Sequence, residues 1–98
     1  MTTTMKIPQP RFPLGKLLAT KGALKALGAV DQRPFIYLSR HVSGDWGDVC
    51  HEDAEENERS LKDGTRLLSA YMLDNKQKLW IITEADRSAT TLLLPEEY

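Results

Sequence analysis

The 98-residue chain is predicted to be an α+β protein: a three- to four-stranded antiparallel sheet in the order β, α, α, α, β, β, β, with its helices on one face. Three observations predict it. Between residues 20 and 63 apolar side chains recur at helical spacing, residues 66–94 break into short strand-like runs, and Gly or Pro punctuates the junctions.

The opening residues 1–11 are polar and carry Pro8 and Pro10, which cannot donate to a ladder, so a flexible tail is expected there, followed by one domain over 12–98. Phe12 to Ala19 is the early strand candidate. Thr20 is suited to accept a hydrogen bond from a first-turn amide, which predicts a helix with Ala23, Leu24 and Leu27 toward the core and Gly28 at its end. Pro34 favours a first helical turn, and Phe35, Leu38 and Val42 then share one face of a second helix closed by Gly44. Asp45-Trp46-Gly47-Asp48 has the composition of a tight loop. Glu52 to Asp63 follows as a surface helix, its acids at the positive end of the dipole, Arg59 and Lys62 toward the negative end, and Gly64 as terminator.

The last third is predicted to be a meander: Arg66 to Leu73 and Lys78 to Glu84 around Asp74-Asn75-Lys76-Gln77, then Thr90 to Leu94, stopped by Pro95. The first strand would add at an edge or between these. An even-length hairpin loop puts Leu68, Ala70, Met72, Leu79, Ile81 and Thr83 on the core side, and Leu67, Ser69, Tyr71, Trp80, Ile82 and Glu84 outside. An odd-length loop shifts the pairing.

Lys and Arg number 13 against 14 Asp and Glu, so the net charge of −1 supplies no global field for nucleic acid or an anionic membrane. Cys50 is the only cysteine, which excludes an internal disulfide and suits a reducing, cytoplasmic setting. No apolar run is long enough to span a bilayer, and the Thr2-Thr3-Thr4 leader lacks the apolar stretch of a secretory signal.

Three polar groups could carry chemistry. Asp45, Asp48, Cys50, His51 and Glu52 are ligand types in one segment, but they lack any established metal spacing and serve equally as turn and cap residues, so no metal or cofactor is expected. Arg40 and His41 would supply a phosphate clamp and a proton carrier, or simply satisfy a helix end. Glu84, Asp86 and Arg87 form a polar run beside a strand, able to act as base and anion clamp or as an ion-paired turn.

Phe12-Pro13-Leu14-Gly15, Ser39-Arg40-His41-Val42 with Gly44-Asp45-Trp46-Gly47-Asp48, Arg66 to Tyr71, and Trp80 to Ser88 through Leu94-Pro95-Glu96-Glu97-Tyr98 resemble a family of small bacterial proteins associated with plasmids and other mobile elements. That resemblance implies a bacterial, mobile-element origin and brings no reaction, cofactor or catalytic residue. The element order also resembles the RelE/ParE toxin fold, an analogy of topology alone. The leading expectation is a non-enzymatic protein-interaction module that binds a protein partner, such as a host or defence factor, through Tyr71, Trp80, Glu84, Arg87 and Trp46. Exposed strand edges leave a homodimer open. The alternative is a small metal-independent nuclease or hydrolase using Arg40, His41, Glu84, Asp86 and Arg87.

Overall fold

A computed structural model describes residues 9–98; residues 1–8, where most of the flexible tail is expected, lie outside the described residues. The elements are β1 (Lys16–Ala19), α1 (Lys21–Ala29), α2 (Pro34–Val42), α3 (His51–Asp63), β2 (Leu67–Met72), β3 (Lys78–Thr83) and β4 (Ala89–Leu93), with a 3-10 turn at Pro95–Glu97. The architecture is α+β with a four-stranded sheet ordered β1-β4-β3-β2. The sheet is mixed, which corrects the all-antiparallel expectation: β2, β3 and β4 form the antiparallel meander, and β1 lies parallel to β4. Because the chain passes through all three helices and two strands between β1 and β4, nothing forces a hairpin-like reversal between those two.

β1 is shorter than the run Phe12 to Ala19. Gly15 adopts φ +65, so the chain turns before the strand and Phe12 drops into the interior. Arg11, at the edge of the expected tail, is held by its backbone N–H to Val42 O (2.8 Å) and by a two-pronged guanidinium contact with Glu58.

All three helices contribute side chains to the same side of the sheet. Thr20 caps α1, its Oγ1 accepting from the Ala23 amide at 3.1 Å. Ala23, Ala26 and Leu27 are the buried positions, and Leu24 faces outward. α2 starts on Pro34 but is turned from the expected face: Tyr37, Leu38 and His41 are buried, whereas Phe35 is 64% exposed. The rotation follows from partners. Tyr37 packs at a tilt against Tyr71 and donates to Gln32 Oε1, and His41 meets hydroxyls of the sheet, so the polar-tipped rings find in the core the hydrogen bonds that make their burial tolerable. α3 ends on Gly64 at φ +73, the left-handed C-cap its composition predicts.

The hairpin between β2 and β3 decides which side chains face the helices. Leu73 N–H donates to Gln77 O and Lys76 N–H to Leu73 O, with Lys76 at φ +66, so the loop is three residues long. The odd length pairs Leu67 with Thr83, Ser69 with Ile81 and Tyr71 with Leu79. Leu79, Ile81 and Thr83 lie inside as expected, but the β2 half of the assignment is reversed: Leu67, Ser69 and Tyr71 face the helices, and Leu68, Ala70 and Met72 face away. Tyr71 is therefore a core residue, 1% exposed, and not part of the outer surface.

The outer edge of β2 is closed by two devices. Asn57 on α3 imitates a neighbouring peptide, donating Nδ2 to Leu68 O (2.7 Å) and accepting from Leu68 N–H (3.1 Å). Beside it the loop at Gly47 bridges Ala70, with Ala70 N–H donating to Trp46 O and Asp48 N–H to Ala70 O. Asn57→Leu leaves both Leu68 groups unpaired at a half-buried position, and an unfolding free energy lower by about 1–3 kcal/mol is expected in urea titrations.

Candidate functional site

His41 is wholly buried at the centre of a hydroxyl chain. Its Nδ1 lies 2.5 Å from Ser69 Oγ and its Nε2 2.9 Å from Thr83 Oγ1; Thr83 Oγ1 lies 2.8 Å from Thr90 Oγ1, which donates to Leu14 O at 2.7 Å. The donors order themselves from the far end. Thr90 spends its proton on the Leu14 carbonyl, so it accepts from Thr83; Thr83 then accepts from Nε2–H, and Nδ1 accepts from Ser69. The chain thus selects the neutral Nε2–H tautomer. Phe12 and Trp46 pack their rings on the imidazole at 5.2 and 5.8 Å, and burial lowers its pKa from 6.5 to about 4. Both ring nitrogens are occupied inside the protein, which leaves neither for a substrate.

The other residues of the hydrolytic alternative do not converge on His41. Arg40 lies at the surface, paired with Asp45 at 2.6 Å and 4.6 Å from the Tyr71 ring centre. Its hydrogen bond holds the Asp45 carboxyl below the usual range. Arg87 directs its guanidinium at four carbonyls, those of Ser60, Thr65, Glu84 and Ala85, where it ties the end of α3 to the β3–β4 turn. Its guanidinium carbon lies 5.9 Å from the centre of the Phe12 ring, which also packs on His41. Asp86 accepts from Ser88 N–H, as a turn aspartate does, and Glu84 is exposed. Among the described residues no three His, Cys, Asp or Glu side chains gather as a metal site would need.

Of the residues expected to bind a partner, Trp46 is buried rather than presented: it stacks on Phe12, packs with Leu67 and donates Nε1–H to Glu58 at 3.0 Å. The loop character around Trp46 is legible in its composition, but the pairing of its neighbours with the β2 edge, which turns the indole inward, is not. Tyr71 is internal, its hydroxyl donating to Asp45 O at 2.6 Å, and burial raises its pKa.

Trp80 remains on the helix-free face. It is half-buried, opposite Leu93 on β4 and Ala70 on β2, and the Tyr98 ring rests edge-on against it at 5.8 Å. Arg66 lies over the Tyr98 ring and donates to its hydroxyl. The same face carries half-buried Leu68 and Met72 (49% exposed), with Leu18 (43% exposed) on β1, around the buried Ile82 and Leu93. An apolar strip with one indole, one phenol and an arginine at its end can make shape-complementary contact with another molecule, and contains no acid-base pair for covalent chemistry. Sequence reasoning missed Leu18, Leu68, Met72, Arg66 and Tyr98. The expected strand already ran to Leu73; the loop is one residue shorter than expected because Gln77, and not Lys78, lies opposite it.

Compared with known proteins, the chain matches no family model, no curated protein and no solved structure.

Proposed function

We propose that this chain is a non-enzymatic protein-interaction module whose contact surface is the helix-free sheet face around Trp80. The single observation behind the proposal is the one-sided distribution of helices, which leaves a half-buried tryptophan and exposed Met72 and Leu18 on an apolar sheet face. Aromatic anchors ringed by apolar groups are the residues that carry most of the energy in protein interfaces. The internal commitments of His41, Arg40 and Arg87 to protein partners weigh against hydrolysis. On the resemblance to mobile-element proteins, a bacterial host or defence factor is the partner to seek, in the cytoplasm.

Tagged protein incubated with bacterial lysate should retain a partner that Trp80→Ala and Met72→Lys each release, while Phe35→Ser, on the helix side, retains it. For a hot-spot anchor the loss is about 2 kcal/mol or more, about thirtyfold in affinity. A partner kept by both sheet-face variants counts against this surface.

A further inference from the structure

The two edges of the sheet are treated differently. Leu68 and Ala70 on the β2 edge have their outward backbone groups satisfied by Asn57 and the Gly47 loop. On β1, Lys16 N–H donates to Ser88 O and Thr20 N–H to Leu92 O, so the alternate residues Leu17 and Ala19 direct their N–H and C=O groups away from β4. Among the described residues nothing bonds to them. β1 has neither a proline nor a bulge to discourage pairing, and Lys16 is its only charge.

Beside this edge lies an apolar groove of about 690 Å³ whose walls include Phe12, Pro13, Leu14, Leu17 and Val42. A strand laid along β1 would direct alternate side chains toward one face of the sheet, and the groove offers a seat for an apolar one. The charge around the edge has one sign. From Phe12 to Val30 there is no Asp or Glu, while Lys16, Lys21 and Lys25 are present and exposed. The carboxylates that approach from elsewhere are engaged: Glu97 with Thr20 Oγ1, Gly22 N–H and Leu94 N–H, and Asp86 with Ser88 N–H. A second copy of this chain, paired antiparallel through β1, would bring Lys16 and Lys21 of both copies together, a like-charge juxtaposition that disfavours it.

We propose that the free edge of β1 takes up an extended, carboxylate-bearing peptide segment as a fifth strand, main chain on Leu17 and Ala19 and an apolar side chain in the groove. This surface is separate from the Trp80 face, and the two stand or fall independently. The probe is an eight-residue peptide alternating Val and Glu, titrated into the isotope-labelled full chain alongside peptides alternating Val with Lys and Val with Ser. The Glu peptide should bind about tenfold more tightly than the Lys peptide at low ionic strength, shifting the amide signals of Leu17 and Ala19 and leaving those around Trp80 in place. Ala19→Pro removes only an outward N–H and should abolish binding with the fold intact; Lys16→Glu should reverse the charge preference, and decides the matter alone if the proline variant fails to fold. Equal binding of the Glu and Lys peptides, or undiminished binding by a folded Ala19→Pro variant, overturns the proposal. So does concentration-dependent self-association that Ala19→Pro removes, which gives the edge to a second copy, and so does peptide binding that appears only after removal of residues 1–8.

Discussion

Gly47→Ala should be among the most damaging single-methyl changes in the chain, lowering the unfolding free energy by about 3–5 kcal/mol. Gly47 sits at φ +74, where an L side chain costs of order 1–2 kcal/mol by itself. A Cβ there would also run into the Ala70 carbonyl oxygen and the Tyr71 ring, neither of which can yield, because one is backbone of a strand held in the sheet and the other is packed in the core. The loop would have to lift from the sheet, breaking the Ala70-to-Trp46 and Asp48-to-Ala70 backbone bonds and loosening the indole that lies on His41. Gly28→Ala is the matching control. Gly28 lies within α1 with open space where a Cβ would go, so alanine there should stabilise by about 0.5–1 kcal/mol. Urea titrations of the two variants should move in opposite directions, and a Gly47→Ala protein as stable as the parent would mean that the loop does not close the β2 edge.

The hairpin between β2 and β3 shows where the sequence was legible and where it was not. Caps and breakers act within a few residues, so Thr20, Pro34, Gly64 and Pro95 mark the ends of their elements in the structure much as their chemistry predicts. The order of strands and helices follows from the same local signals. Register does not. Asn75, the residue best suited to a left-handed turn position, leaves it to Lys76, which carries a Cβ cost there, and that one displacement exchanges the two faces of β2. Tyr71 consequently enters the core and Met72 leaves it, which is why Trp80 lies on the helix-free face without Tyr71 beside it. The burial of His41 is hidden by distance as well: its hydrogen-bond partners Ser69 and Thr83 lie 28 and 42 residues away, and Ser69 faces inward only in the shifted register.

Stability should fall as the pH is lowered from about 6.5 to 4, by about 3 kcal/mol, because of His41 alone. In the unfolded chain this imidazole takes up a proton with a pKa of 6.5; in the fold burial holds it to about 4, so across that interval the unfolded state binds the proton that the native state refuses. The contribution is complete above pH 6.5, declines as pH falls, and is exhausted below 4. The carboxylates act in a lower window: Asp45, Glu58, Asp86 and Glu97 have folded pKa values depressed from 3.8 or 4.5 by their hydrogen bonds to Arg40, Arg11, Ser88 and Thr20 respectively, so their loss of stability comes mainly at more acid pH. Nitrogen NMR of the imidazole should show the neutral Nε2–H form persisting to near pH 4, and equilibrium unfolding followed between pH 7 and 4 should show the slope. His41→Gln, which can still donate toward Thr83 and accept from Ser69, should be less stable at pH 7 yet flat over the same interval. If the parent protein is also flat, or if its His41 titrates near 6.5, the imidazole is wet and the hydroxyl chain does not seal it.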